Sequence, residues 1–348
     1  MRSASSELFH CMKSRFQYSI ILSVLDLRRG TQRMPISVQN LSARGGVVTP
    51  IVTPLNTDHS IDADSLTRLV RSIARAGADG ILVLGSTGEG GHLTFDEQQH
   101  VVRIARDAEA ELILIATVPA LNTRQAERMA GAFTHLGADA ILSAPTFAFD
   151  LSASELELHF RALSRATTAP LIAYQVPSRA PASIDAETLA RLALDGVIAG
   201  VKDSSGSLES HAAFAEATKD VDGFVRMSGS ETDLVKASAA GFTTFVPGLS
   251  NIVAPVHAAL VQALAVSDLE TAHRLDSALS AYAALYTTPD EGAGRTSRAI
   301  GALKAALTRL GLIDGPTLSF PMQEQPGMDQ HARRAVAMID ETHLVGVA

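Results

Sequence analysis

From Gly46 onward, eight short apolar runs recur, each followed by a longer stretch with helical spacing, and this alternation confines the chain to an architecture of repeated β/α units. The predicted strands are 47–53, 80–84, 112–117, 138–144, 171–175, 197–202, 224–228 and 242–246. They are rich in Val, Ile and Leu at successive positions, as parallel strands covered by helices require. Helices are predicted between them, for example over 62–76, 94–109 and 123–136. In the first, Leu66, Leu69, Val70 and Ile73 share one face, Asp62 stands at the cap position and Gly77 ends the segment, as Gly137 ends the third. Eight such units in about 220 residues match a (β/α)8 TIM barrel, with a doubly wound open sheet as the alternative. The division that follows is an N-terminal extension over 1–37, the barrel over 38–262 and a C-terminal helical region over 263–348 with no evident chemistry of its own.

The chain has 348 residues, 46% of them apolar and 19% charged, ordinary values for a chain that buries a large core. Its net charge of −8 and its lack of a basic block argue against a nucleic-acid partner. No segment reaches the roughly 18 apolar residues of a membrane span. The single cysteine, Cys11, gives no support to a disulfide framework, so the cytoplasm is the expected location. The extension carries Arg2, Lys13, Arg15, Arg28, Arg29 and Arg33 against Glu7 and Asp26; it reads as a leader or as the result of a start placed upstream of Met34.

In a parallel barrel, reactive groups come from the carboxyl ends of the strands. After the second strand stands Gly85-Ser86-Thr87-Gly88-Glu89-Gly90-Gly91, whose hydroxyls and backbone N–H groups could cradle a small carboxylate or phosphate, or form an ordinary glycine turn. It is neither a Walker loop nor a dinucleotide fingerprint. After the fifth strand come Tyr174, able to relay a proton, and Arg179, able to grip a carboxylate; a half-buried tyrosine and a surface arginine are the bland alternatives. Lys202 is the most informative residue. It is one of only five lysines among 29 basic residues, yet it ends the oily run Val197-Ile198-Ala199-Gly200-Val201. Burial disfavours an ammonium, and a neutral amine adds to a ketone to form a Schiff base. Pairing with Asp203, or turning to solvent, is the competing use of such a lysine. The eleven histidines show no ligand spacing and no nucleophile elbow is present, so neither a metal nor a cofactor is expected.

The order and spacing of these pieces resemble the family of dihydrodipicolinate synthase and N-acetylneuraminate lyase, the Schiff-base class I aldolase barrels. The matching segments are Thr53-Pro54, Gly85-Ser86-Thr87-Gly88-Glu89, Gly137-Ala138-Asp139-Ala140 leading to Pro145, Tyr174-Gln175-Val176-Pro177-Ser178-Arg179 and Val201-Lys202-Asp203-Ser204-Ser205-Gly206, with Ser228-Gly229 and Asn251 in register. The resemblance implies that Lys202 forms an imine with a 2-oxo acid, that Tyr174 moves protons, and that Ser86 and Thr87 hold the acid's carboxylate, Ser86 also serving the proton relay. It places Arg179 at a second anionic end of the substrate, Gly229 and Val246 in the substrate site, and the chain in a homo-oligomer, a tetramer or dimer.

Three departures narrow the expectation. Synthases of the family carry a second tyrosine in a Pro-Tyr-Tyr segment, where this chain reads Ala144-Pro145-Thr146-Phe147, and a phenyl ring cannot pass a proton. Gln175 stands where an asparagine is usual. Glu231-Thr232 and Gly248 leave one acid where sialate lyases grip a polyol with two acids and a serine. The expected activity is therefore a lyase of pyruvate or a small 2-oxo acid, such as a hydroxy-oxo-glutarate or a deoxy-sugar acid, by aldol chemistry or dehydration. Dihydrodipicolinate synthase itself is the alternative, and a barrel that binds a 2-oxo acid without turnover is the alternative of another class.

Overall fold

The computed structural model describes residues 37–145, 149–180, 182–287, 292–325 and 327–341. The predicted extension before residue 37 and the Phe147 position lie outside these residues. Eight strands, β1 (Gly46–Pro50), β2 (Gly80–Val83), β3 (Ile113–Val118), β4 (Ala140–Ser143), β5 (Leu171–Gln175), β6 (Gly200–Asp203), β7 (Val225–Ser228) and β8 (Thr244–Phe245), pair in sequence order, all parallel, and β8 closes onto β1. The closed barrel, not the open sheet, is the fold.

The helices begin where their capping residues stand. Asp62 accepts the backbone N–H of Ser65 ahead of the helix Ala63–Arg75, and Thr94 with Glu97 forms a reciprocal capping box ahead of Phe95–Ala108. Leu66, Leu69, Val70 and Ile73 are buried on the face turned to the sheet. Apolar side chains form an outer layer between sheet and helices and a second layer inside the barrel, where Val48, Leu82, Ile115, Ile172 and Met227 meet. A short helix, Asn40–Arg44, stoppers the amino-terminal end: Leu41 is wholly buried, and a Cβ on Gly46 would stand 2.6 Å from its Cδ2.

Three strands, β4, β6 and β8, start two or three residues later than predicted because their first residues are taken up in turns, Phe242 for instance donating its N–H to Ala237 O. The Ala138 N–H closes the preceding helix on Phe133 O, and the N–H groups of Val197 and Ile198 both reach Leu192 O. The eighth barrel helix, Ser250–Ala265, is followed by Leu269–Tyr282, a 3-10 turn Ala283–Tyr286, Arg295–Arg309 and Met328–Glu341. Among the described residues no helix is long and apolar enough to cross a membrane.

Candidate active site

β5 and β6 are registered so that Tyr174 lies directly beside Lys202, and the two-residue period that points Ile172 into the barrel points Tyr174 there too. The Lys202 ammonium lies 4.3 Å from the centre of the tyrosine ring, and the residues are 6% and 7% exposed. Asp203, one residue on, turns the other way. Its carboxylate accepts the Ser205 N–H at 2.7 Å and the Ser210 hydroxyl at 2.6 Å, so it is engaged behind the strand rather than with Lys202. Burial acts to raise the Tyr174 phenol, but the Lys202 charge and hydrogen bonds with Ser204 and Lys202 outweigh it and hold the group below the usual tyrosine range. A phenol so placed gives up and recovers a proton more readily than one in water.

The loop after β2 reaches the same end of the barrel. Leu84 and Glu89 both adopt left-handed backbone angles, φ 61° and 56°, a conformation that costs non-glycine residues roughly 1 to 3 kcal/mol each and persists only when its surroundings hold it. Those holds are visible. Glu89 N–H donates to Ser86 O and Gly90 N–H to Gly85 O, both at 3.2 Å, while the Thr53 hydroxyl reaches Gly88 O at 2.7 Å. Gly90 has no alternative, since a Cβ there would lie 2.1 Å from Leu84 O. Ser86 and Thr87 are the partly exposed residues of the loop, flanked by buried ones.

The loops after β6, β7 and β8 complete the rim. Gly229 donates to Asp203 O at 2.8 Å, and a Cβ on it would stand 2.0 Å from Ser204 Oγ, so a larger residue there would have to displace the Ser204 hydroxyl where the β6 and β7 loops meet. Val246 is buried in the inner layer and donates to Ser228 O. Glu231 accepts the N–H groups of Gly248 at 2.7 Å and Leu249 at 3.0 Å and faces the Tyr286 hydroxyl at 3.4 Å. Burial pushes the Glu231 carboxyl up; burial and the neighbouring Glu231 push the Tyr286 phenol well above its usual range. A Cβ on Gly248 would lie 2.6 Å from the Tyr286 oxygen. The space left by the missing serine side chain is thus filled by the chain's own residues.

Arg179 is exposed at the rim and donates to Thr296 Oγ1 at 3.0 Å, at the start of the helix Arg295–Arg309. The C-terminal region, which shows no chemistry in its sequence, therefore supplies Tyr286 and Thr296 to the mouth and Lys304 to a buried ion pair with Glu89. Asn251 is a further residue whose function the sequence did not disclose: its amide binds Val52 N, Pro50 O and Gly248 O and so pins the seam between β1 and the β8 loop. A usable signal existed for Lys304 alone, because the scarcity of lysine that marks Lys202 marks it as well, set among Ala302, Leu303, Ala305 and Ala306.

A closed parallel barrel with an amine and a phenol facing each other at its carboxyl end, and a Ser-Thr loop following β2 at that same end, defines an aldolase-type lyase barrel. The chain belongs to the dihydrodipicolinate synthetase family, whose sequence pattern matches residues 43–340. It is 33% identical over 244 residues to a 4-hydroxy-tetrahydrodipicolinate synthase of Chlorobium phaeovibrioides, covering 68% of this chain and 80% of that one. It is 30% identical over 293 residues to an uncharacterized DapA-like lyase of Halobacterium salinarum, covering 84% and 91%. Among solved structures, the dihydrodipicolinate synthase of Acinetobacter baumannii complexed with pyruvate superposes with a TM-score of 0.76 at 25% identity, covering 84% of this chain and 98% of that one.

Proposed function

We propose that the protein is a Schiff-base lyase of pyruvate or a small 2-oxo acid derivative, with Lys202 as the nucleophile, Tyr174 as the proton carrier and Ser86 and Thr87 as the carboxylate holders. The observation that carries this reading is the in-register pair Tyr174–Lys202, buried together at the carboxyl end of the barrel. As the free amine, Lys202 adds to the C2 carbonyl of the acid; Tyr174 passes a proton to the departing oxygen, which leaves as water. The iminium then draws electrons from C3. Either the phenolate that Tyr174 has become takes the C4 hydroxyl proton as the C3–C4 bond breaks, releasing an aldehyde and leaving an enamine that is reprotonated at C3 and hydrolysed by water, or that phenolate takes a C3 proton and returns it to the C4 hydroxyl, which departs as water before hydrolysis frees the product from Lys202. Arg179, exposed at the rim, suits a substrate whose far end carries a second carboxylate. The Glu231–Tyr286 pair occupies the space a polyol tail would need, which favours a short substrate.

A panel of hydroxy-oxo-glutarates and deoxy-sugar acids, followed by release of pyruvate or of a dehydrated 2-oxo acid, tests the reading; turnover of at least one at about 1 to 10³ per second is expected. No turnover of any, together with saturable binding, would leave the non-catalytic barrel. The names of the curated relatives favour a second reading, synthase activity with pyruvate and aspartate semialdehyde. The Phe147 side chain stands against it, since the proton that the family's second tyrosine carries would need another donor.

We further propose a homo-oligomer in the cytoplasm. Leu121, Phe149 and Leu158 are 60%, 65% and 68% exposed around one groove, an apolar patch that a second copy of the chain would cover. Light scattering is expected to give a dimer or tetramer that Leu158→Asp weakens; a monomer at working concentration would contradict this.

A further inference from the structure

We infer that Glu89 and Lys304 are positioning residues for the 2-oxo acid: their buried ion pair ties the helix Arg295–Arg309 to the loop presenting Ser86 and Thr87 and holds that loop in its binding shape. The inference rests on the function proposed above.

Both side chains are completely buried, with Lys304 Nζ 2.5 Å from Glu89 Oε1. The second carboxylate oxygen, Oε2, accepts the Ser319 N–H at 2.7 Å, and the ammonium also donates to Thr317 O at 2.6 Å. Each oxygen of one carboxylate is therefore engaged by the C-terminal region. Glu89 is also the left-handed corner of the loop, and its own N–H holds Ser86 O. A corner in that conformation relaxes once its side chain is released, and the relaxation reaches Ser86 through a single hydrogen bond. The loop's other holds are local: Gly90 N–H donates to Gly85 O, His92 N–H to Glu89 O, Thr53 to Gly88 O and Gln98 to Gly90 O, so the Glu89 carboxylate is what ties the corner to the helix Arg295–Arg309 and the segment at Ser319.

The pair also dictates its own test. Removing one partner strands a buried charge, whereas removing both charges together leaves a neutral, well-filled space. In the full-length protein, Lys304→Met, Glu89→Gln and the double variant are compared by two readouts. One is the pyruvate concentration that gives half-maximal borohydride trapping at Lys202, with the trapping rate at saturation. The other is amide hydrogen exchange over residues 85–91 without ligand.

Lys304→Met is expected to raise the half-saturating pyruvate about tenfold or more, to change the saturated rate less than about threefold, and to speed exchange over 85–91. The double variant is expected to return half-saturation to within about threefold of the wild type. Should Lys304→Met fail to fold, Glu89→Gln carries both readouts, with an expected rise of about threefold or more. Unchanged half-saturation and unchanged exchange in the folded single variants would overturn the inference, as would a fall in melting temperature with neither readout moved. A wild type that does not trap pyruvate would instead overturn the proposed function; exchange over 85–91 would then decide the pair's hold on the loop by itself.

Discussion

Tyr174 and Tyr286 show how two phenols in one mouth are set to opposite tasks by what they face. Beside the Lys202 charge, Tyr174 sits below the usual tyrosine range in spite of its burial; beside Glu231, Tyr286 sits well above it and keeps its proton. Tyr174→Phe preserves the ring 4.3 Å from Lys202 and removes only the hydroxyl. Turnover is expected to fall by about 10²- to 10⁴-fold, with 2-oxo acid binding retained. The wild-type pH profile of kcat/KM should lose activity on an alkaline limb that begins below the ordinary tyrosine value of about 10, and that limb should vanish in the variant. An unchanged profile in Tyr174→Phe would remove the phenol from the proton path.

At the scale of elements, the strands and their helices were legible because each depends on residues adjacent along one segment. Asp62 at its cap, the face of Leu66, Leu69, Val70 and Ile73, and the strand 171–175 could be read from periodicity and found as read. The strand ends were less legible, since Ala138 and Val197 spend their N–H groups on the preceding helices, a choice that only the fold decides. The helix Asn40–Arg44 has five residues, too few to show a period. Least legible were the holds on the site. Tyr286 meets Glu231 across 55 residues, Thr296 meets Arg179 across 117, and Ser319 meets Glu89 across 230, separations over which no local pattern speaks. The β2 loop lies between these cases, with its glycines plain in the sequence and its two left-handed corners not. Gly90→Ala tests the loop geometry: with Leu84 O 2.1 Å from the new Cβ, the turn must open. We expect a loss of at least about 2 kcal/mol in denaturant unfolding and a loss of pyruvate trapping. A variant as stable and as reactive as the wild type would show that the tight turn is dispensable.

Across the whole molecule, buried histidines give the barrel an acid weakness. Burial holds His257 down to about 4, and it lowers His159 and His211 as well, with Asp203 opposing the shift at His211. The unfolded chain takes up protons near pH 6.5, whereas folded His257 refuses its proton until about pH 4. Stability from this group is therefore full above 6.5 and is lost as pH falls through that window, by roughly 3 kcal/mol at most. Melting temperature should fall between pH 6.5 and 4 and fall less steeply in His257→Gln; a flat curve would contradict the assignment. The C-terminal region also belongs to this scale, because it reaches the mouth through Tyr286, Thr296 and the Lys304–Glu89 pair.

Everything proposed for the site turns on one bond, the imine at Lys202. Borohydride reduction in the presence of pyruvate, followed by peptide mass mapping of the wild type and of Lys202→Ala, looks for that bond directly. The expected result is a carboxyethyl adduct on Lys202 and none anywhere in Lys202→Ala. An unmodified Lys202 in folded protein, or an adduct on Lys219, Lys236 or Lys304 that persists in Lys202→Ala, would contradict it.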